Sequence, residues 1–144
     1  MLMEDHLEKL AKMYHKAPIN LLMNATLKVL PSKAIIRMKA EPNYFHAGNS
    51  LHGSIYFKML DDASFFASQS IVSDYFLVTS NYNVHLMRPI FEDELIAEGE
   101  VISMSKSIVT ASAKLFNSSG KLCAYGTGAF AKSRIKIEDA EGYI

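Results

Sequence analysis

Residues 46–63 read HAGNSLHGSIYFKMLDDA, a short polar loop that leads into an apolar helix. The helix is predicted from about Ser50 to about Ser70, and apolar side chains cover most of its surface instead of one stripe. A helix that is apolar all round is buried, with other elements wrapped around it. Its middle nevertheless carries three charges, on Lys58, Asp61 and Asp62. Because a buried charge must be paired, neutralised or exposed in a pocket, we expect the chemistry of the protein on this helix.

The composition indicates one globular domain over residues 1–144. Hydrophobic residues make up 49% of the chain, which is enough for a sizeable core. The formal net charge of +0 argues against a nucleic-acid partner, because nucleic-acid-binding domains usually carry a basic excess. The single cysteine, Cys123, excludes a disulfide framework, and neither a secretory signal nor a run of ~20 apolar residues is present. We therefore expect a cytoplasmic protein with no membrane partner.

Periodicity predicts helices first and mostly strands afterwards. The N-terminal helical segment, residues 1–24, holds an amphipathic helix over residues 3–15 and a short helix that begins at Pro18. Alternating apolar residues and turn residues predict strands within 25–40 (broken near Pro31) and over 76–88, 94–104, 107–116 and 121–132. Residues 135–144 form a polar tail without a recognisable pattern.

The order of these elements predicts an α+β fold. The last four strands follow one another as hairpins, and hairpin links give antiparallel pairing. An antiparallel sheet with a helix on one face is the α+β arrangement, here an antiparallel sheet of about five or six strands wrapped around one long central helix. A single sheet leaves part of an apolar helix uncovered. We therefore expect a homodimer or homotetramer.

The central segment resembles the hotdog-fold thioesterases, in particular their phenylacetate-degradation and hydroxybenzoyl-CoA branch. That branch has a His-Gly-Gly motif with an Asp nine residues after the His, and His52-Gly53-Ser54 with Asp61 keeps that spacing. A family Ser matches Thr79. The resemblance also includes a family Pro at Pro89 and the final hairpin, and covers about residues 35–132.

The chain departs from the family pattern at two positions. The family has an Asn six residues before its His, where this chain has His46, although Asn49 lies three residues on. His46 and Asn49 are therefore rival candidates for the role of that Asn. The second Gly of the motif is Ser54 here, a small replacement at a position that we assign to substrate binding.

The resemblance implies an enzyme that hydrolyses an acyl-CoA thioester to the free acid and CoA. No cofactor or metal is expected, since CoA is part of the substrate. The five histidines show no metal-ligand spacing, and neither a Gly-x-Ser-x-Gly motif nor a phosphate-binding glycine loop occurs. Four basic residues near predicted strand ends could contact the CoA phosphates, namely Lys106, Lys132, Arg134 and Lys136, and the first three are assigned to substrate binding.

Helix geometry predicts that each active site is shared between two subunits. Nine residues along a helix correspond to a rise of roughly 13.5 Å and a rotation of about 180°. His52 or Gly53 therefore cannot reach the same reacting atom as Asp61 of the same chain. If both act in one site, the second group comes from another subunit across a two-fold axis, which gives two sites per dimer.

Each candidate residue has a chemical role that suits its position. The Gly53 N–H in the first turn would stabilise an oxyanion at the thioester carbonyl, unless Gly53 only permits close packing. Asp61 would be a general base for water or a nucleophile, unless it is an exposed charge or is paired with Lys58 one turn earlier. His52 would position the carbonyl or the loop, and Thr79 would orient the water unless it is an ordinary strand residue. Asp62 is expected to be structural.

Two other functions stay open at this stage. A non-catalytic acyl-CoA binding or sensing protein is favoured by the loss of the family Asn at His46. A hotdog enoyl-CoA hydratase or dehydratase usually pairs an Asp with a His on the same loop and helix, and the spacing of His52 and Asp61 fits that chemistry poorly.

Overall fold

The structure, a computed structural model, describes residues 2–144 and contains three α-helices and six β-strands in that part of the chain. In chain order these are α1 (Met3–Lys16), α2 (Pro18–Met23), β1 (Thr26–Leu30), β2 (Lys33–Ala40), α3 (Gly53–Gln69), β3 (Tyr75–Leu86), β4 (Asp93–Met104), β5 (Ile108–Phe116) and β6 (Leu122–Lys136). None of the helices within residues 2–144 has the length and apolarity needed to cross a lipid bilayer.

All six strands form one antiparallel sheet in the order β1-β2-β4-β5-β6-β3. This confirms the predicted α+β architecture of a sheet around a central helix. The expectation of four strands in hairpin succession holds only for β4, β5 and β6. The first strand after the helix, β3, does not pair with β4 but crosses to the far edge of the sheet and pairs with β6.

The central helix α3 lies against the sheet with most of its residues buried. Met59, Leu60, Ala63 and Ala67 are at most 1% exposed. Strand β4 approaches the helix so closely at Gly99 that an added Cβ atom would collide with the Ala63 carbonyl. A residue without a side chain is therefore required where β4 crosses α3.

A β-bulge in β3 determines which side chains of that strand face the helix. Thr79 is paired with Phe130 and Asn81 with Ala129, so Ser80 is an extra residue. Strict alternation over the strand predicted at 76–88 would place Thr79 and Tyr82 on opposite faces, whereas both face α3. The reason is that one extra residue reverses the alternation beyond it.

Two glycines of the last strand, Gly126 and Gly128, leave room for an aromatic ring. Cβ atoms at Gly126 or Gly128 would collide with the ring of Tyr82. The Tyr82 hydroxyl lies 2.7 Å from the Ser64 hydroxyl and donates to the Leu60 carbonyl at 3.1 Å. These contacts fix β3 against both β6 and α3.

The two ends of the chain meet beside the end of α3. Strand β6 continues to Lys136 instead of ending at Lys132, and a short 3-10 turn follows at residues 137–139. The buried His6 ring contacts the Tyr143 hydroxyl through Nδ1 at 2.6 Å and the Gln69 carbonyl through Nε2 at 2.8 Å. The C-terminal tail is therefore shorter than predicted and is packed against α1.

Candidate active site

Asp61 lies on α3 with its carboxylate next to β3. The Thr79 hydroxyl donates to Asp61 Oδ1 at 2.9 Å. Lys58, one turn earlier on α3, forms its ion pair with Asp62 and not with Asp61. The alternative interpretation, in which Asp61 is a structural charge paired with Lys58, is therefore wrong. Asp61 is left with one hydroxyl donor and access to a cavity.

The surroundings of Asp61 make its carboxylate more basic than usual. Burial raises the pKa of Asp61 to about 6, the hydrogen bond from Thr79 counteracts this effect, the Asp62 carboxylate raises the pKa further, and the charge of Lys58 lowers it. At neutral pH the group is still mostly ionised. A carboxylate with a pKa just below the working pH is well suited to accept a proton from water.

Asp62, the neighbour of Asp61 in sequence, belongs to a partly buried polar network. Lys58 Nζ donates to Asp62 Oδ2 and, at 2.7 Å, to Asn20 Oδ1 on α2. The same ammonium group lies 5.8 Å from the centre of the Tyr14 ring. Burial raises the pKa of Asp62, while the Lys58 charge and hydrogen bond act against it. The expectation that Asp62 is structural is consistent with this pairing, which ties α3 to α2.

The first turn of α3 leaves one backbone donor free. His52 is the N-cap, and its Nδ1 accepts a hydrogen bond from the Ser54 N–H at 3.0 Å. The Ile55 N–H donates to the His52 carbonyl at 3.0 Å. Within residues 2–144 the Gly53 N–H has no hydrogen-bond partner, so it is the unpaired donor at the positive end of the helix dipole.

The capping role of His52 determines which of its nitrogens is available. Because Nδ1 accepts from the Ser54 backbone and lies 2.8 Å from the Ser54 hydroxyl, a neutral His52 ring carries its proton on Nε2. The side chain is exposed, so the Nε2–H can donate to a ligand. Ser54, the predicted substrate-binding residue, is occupied with this cap.

His46 and Asn49 differ in how free their side chains are. His46 Nδ1 accepts from the Gly48 N–H at 2.9 Å, and Nε2 lies 3.1 Å from the Ser50 hydroxyl, so both ring nitrogens are used inside the loop. Asn49 has a left-handed backbone with φ of 65° and an exposed carboxamide that makes no hydrogen bond in the described part of the chain. Of the two candidates for the missing family Asn, only Asn49 has a free amide.

The predicted catalytic residues form two groups. Asp61 and Thr79 are in contact, whereas Gly53, His52, His46 and Asn49 cluster at the start of α3. Eight residues of helix separate Gly53 from Asp61, a rise of roughly 12 Å, so one chain does not bring the two groups together.

The basic residues assigned to CoA lie at another place on the sheet. Lys132 pairs with Asp74 at 3.0 Å, and its backbone N–H donates to the Ser107 carbonyl beside Lys106. Arg134 follows two residues later on β6 and is exposed. Lys132 is paired across the sheet with Leu77, two residues before Thr79. These cations therefore lie beyond the Asp61–Thr79 pair, towards the start of β3.

A cavity of about 620 Å³ opens beside Asp61, between α1, α2, α3, β3 and the end of the chain. Its lining is mainly apolar and comprises Met13, Tyr14, Ala17, Asn20, Asp61, Asp62, Phe65, Phe66, Phe76, Leu77, Val78, Thr79, Ile135, Asp139, Ala140 and Glu141. In the sequence, Tyr14 is one member of the apolar face of the helix predicted over residues 3–15, and its place in this cavity was not predicted. The one indication in the sequence was the hydroxyl group that Tyr14 adds to an otherwise apolar helix face.

A comparison with protein families identifies the central part of the chain. Residues 48–124, more than half of the chain, match the model of the thioesterase superfamily. The chain belongs to the thioesterase superfamily. Membership supports thioester hydrolysis as the general chemistry of this thioesterase-superfamily protein. The matched segment contains Gly53, Asp61 and Thr79, whereas α1, α2 and most of β6 lie outside it.

Solved structures share the fold of this thioesterase-superfamily protein. The Escherichia coli PaaI protein from the phenylacetic acid degradation operon aligns with a TM-score of 0.85 and 20% identity, over 94% of this chain and 99% of that chain. Zebra fish thioesterase superfamily member 2 aligns with a TM-score of 0.78 and 20% identity, over 88% and 98%. Thioesterase HI1161 from Haemophilus influenzae aligns with a TM-score of 0.76 and 14% identity, over 87% and 88%.

At these identities the likeness shows a common fold and carries no residue roles. It confirms the predicted hotdog architecture and the predicted resemblance to PaaI-like thioesterases. A search of curated proteins found no match.

Proposed function

We propose that this protein hydrolyses an acyl-CoA thioester to the free acid and CoA. The observation that carries the proposal is the state of Asp61: a carboxylate with a raised pKa, held by Thr79, free of Lys58 and open to a largely apolar cavity. Such a group is placed for proton transfer next to a pocket that suits an acyl chain.

The proposed reaction uses an amide from one subunit and an acid from the other. The Gly53 N–H donates to the thioester oxygen, and Asp61 of the partner subunit removes a proton from water. The water oxygen bonds to the carbonyl carbon, and the negative charge that develops on the carbonyl oxygen is stabilised by Gly53. Collapse of the intermediate breaks the carbon–sulfur bond, and the CoA thiolate takes up the proton. In the alternative scheme, Asp61 attacks the carbonyl carbon itself, the carbon–sulfur bond breaks as CoA leaves, and water then hydrolyses the resulting anhydride. No metal takes part in either scheme.

The edge position of β3 supports a dimer that would complete the site. This strand is twelve residues long, lies at the edge of the sheet and has its other side unpaired within residues 2–144. Long exposed edge strands pair readily with another strand. Antiparallel pairing of two β3 strands across a two-fold axis would set two α3 helices side by side in opposite directions. Gly53 of one subunit would then lie towards Asp61 of the other.

Replacement of Gly53 tests the amide directly. Gly53 follows the N-cap, where proline is well tolerated, and His52 has φ of −64° and ψ of 140°, as a residue before proline requires. Gly53→Pro therefore removes the N–H with the helix start intact. Gly53→Ala is the matched control, because it adds a Cβ at 3.2 Å from Leu86 Cδ1 but keeps the N–H. We expect Gly53→Pro to lose roughly 10²–10³-fold in kcat relative to Gly53→Ala. Equal kcat values for the two would contradict the role of the amide.

A second candidate function is acyl-CoA binding without turnover. The observation that favours it is the engagement of both His46 ring nitrogens within the loop, which leaves that position without a free polar group. Titration of the wild type with acyl-CoA, followed by assay of released CoA, separates the two functions. Tight binding with no release of CoA would favour the binding protein.

A further inference from the structure

Two histidines before the central helix make the same kind of hydrogen bond. His46 and His52 each use Nδ1 to accept the backbone N–H of the residue two positions later in the chain. The Gly48 N–H donates to His46 at 2.9 Å, and the Ser54 N–H donates to His52 at 3.0 Å. Because a nitrogen that accepts an N–H carries no proton itself, both rings must be neutral, with their proton on Nε2, when these bonds form.

The His46 ring holds a tight turn together from both sides. Its Nε2 lies 3.1 Å from the Ser50 hydroxyl, and the His46 N–H donates to the Ser50 carbonyl at 3.0 Å. At the other side of the ring, a Cβ atom added to Gly48 would lie only 2.9 Å from His46 Cε1. Glycine therefore allows the backbone to come close enough for the bond to Nδ1. Asn49 completes the turn by donating its N–H to the His46 carbonyl at 3.0 Å.

This turn leads directly to the unpaired amide at the start of α3. The Leu51 N–H donates to the Ile90 carbonyl at 2.8 Å, and the His52 N–H donates to the Tyr44 carbonyl at 2.9 Å. His52 is then the N-cap, and the next residue is Gly53. Hydrogen bonds therefore fix the backbone from the turn to the residue that presents the free N–H, and two of those bonds end on imidazole nitrogens.

Mild acid acts against both of these bonds. Imidazole gains a proton in mildly acidic water, and the His46 and His52 side chains are exposed to solvent. A proton on Nδ1 would face the N–H of Gly48 or Ser54, so the acceptor would be lost. A charged His52 would also lie at the positive end of the helix dipole, and the two ring centroids are only 6.5 Å apart, so two cations would repel each other.

Neither histidine has an ion-pair partner within residues 2–144 that would stabilise its charged form. The titratable side chains on the segments packed against the turn are Glu41, Tyr44, Arg88 and Glu92. Glu92 lies 3.4 Å from Lys39, and Glu41 is near the Tyr44 hydroxyl. In the proposed dimer, Asp61 of the partner subunit would be the additional carboxylate near Gly53.

We propose that His46 and His52 are positioning residues whose neutral rings hold the Gly53 N–H in place, so that this part of the site is assembled at neutral pH and released in mild acid. The response of the turn to pH is independent of the proposed function, whereas its effect on a thioester rests on that function. Asparagine would suit both positions without titrating, because its Oδ1 also accepts the N–H two residues later and is a good N-cap. Histidine therefore adds a response to pH that asparagine would lack.

Amide hydrogen exchange, followed by NMR, tests the proposal. It is measured in the Asp61→Asn background, where position 61 does not titrate, and is corrected for the intrinsic effect of pH. From about pH 7.5 to about pH 5, we expect the protection of the Gly48 and Ser54 amides to fall about tenfold. His46→Asn should abolish the fall at Gly48, and His52→Asn should abolish it at Ser54. His85→Asn is the matched control, because His85 is exposed and stacks on Tyr125, and it should keep both effects.

Two results would overturn the proposal. One is equal protection of both amides at the two pH values, and the other is an undiminished fall in the double variant His46→Asn, His52→Asn. If a variant does not fold, nitrogen NMR of the imidazoles in the wild type decides instead. Both rings should carry their proton on Nε2 at neutral pH and gain the second proton as protection is lost. A neutral ring with its proton on Nδ1 at either position would contradict the proposal.

The acid limb of the kcat/KM profile links the turn to the proposed function. In the wild type this limb should be steeper than a one-proton curve, because Asp61 and the two imidazoles all gain protons. The double variant should approach a one-proton curve. The shapes are compared and not the rates, because His52→Asn also removes the Nε2 donor. A one-proton limb in an active wild type would overturn the proposal. Loss of amide protection without any thioester hydrolysis would contradict only the proposed function and would support the pH response of the two histidines.

Discussion

The hydrogen bond between Thr79 and Asp61 controls the pH at which the proposed base becomes active. The Thr79 hydroxyl donates to Asp61 Oδ1 at 2.9 Å and thereby favours the ionised carboxylate against the effect of burial. Thr79→Val keeps the shape of the side chain and removes the donor. We expect the pKa of Asp61 to rise from about 6 to about 7 in this variant.

The size of this shift follows from the strength of the hydrogen bond. Hydrogen bonds to charged groups contribute about 1.5–3 kcal/mol, and we take the lower end because Thr79 is exposed to solvent. One pKa unit corresponds to about 1.4 kcal/mol, which gives a shift of about one unit. The ionised fraction of Asp61 would then fall about twofold at pH 7 and about eightfold at pH 5.5.

The pH dependence of kcat/KM measures this shift. Hydrolysis is followed by the loss of thioester absorbance, which needs no thiol reagent and is usable in acid. The wild type should show a midpoint near pH 6, as the pKa of Asp61 indicates, and Thr79→Val should show one about a unit higher. Thr79→Ser keeps the hydroxyl and should stay near the wild-type midpoint. Identical midpoints for the wild type and Thr79→Val would refute this reasoning.

Three further outcomes are expected. Asp61→Asn should lower kcat about 10²–10⁴-fold in the same assay. The exposed variant Asp5→Asn is the control, and equal activity of the two variants would remove Asp61 from the mechanism. Asp61→Asn should also raise Tm above pH 6, with no gain below about pH 4. The reason is that a raised folded-state pKa destabilises the folded protein only where the carboxylate is ionised. Mixed refolding of Gly53→Pro and Asp61→Asn chains should restore about a quarter of wild-type activity, since half of the dimers would be mixed and each would have one intact site; no recovery would place both groups in one chain. Gly99→Ala should cost about 3 kcal/mol in the free energy of unfolding by denaturant titration, because its Cβ collides with the Ala63 carbonyl; an unchanged midpoint would contradict the close crossing of β4 and α3.

Local patterns in the sequence predicted most elements of the fold. Apolar residues all round α3 indicated its burial, and two-residue alternation located the strands to within a few residues. The place of β3 at the sheet edge was not predictable in this way, because a crossover and a hairpin leave the same alternation in the strand itself. Nothing in the sequence marks Ser80 as an extra residue, although the bulge that it forms allows Thr79 to face Asp61.

The candidate site was predictable where chemistry depends on spacing along one helix. The nine residues from His52 to Asp61 were enough to separate the amide from the acid. The partner of Lys58 was not predictable, because Asp61 and Asp62 both lie about one helical turn away and only the packed structure shows that Asp62 is the partner. The place of Tyr14 in the cavity was not predictable either, because it depends on how α1 packs beside α3 and β3.

The cavity is lined by two parts of the chain, one inside and one outside the segment that matches the family. Asp61 and Thr79 come from α3 and β3, inside the segment that matches the family, while Tyr14, Ile135 and Glu141 come from the two ends of the chain, outside it. Chimeras that exchange only the first twenty and last ten residues between relatives should therefore change the acyl preference, while Asp61 and Thr79 stay in place.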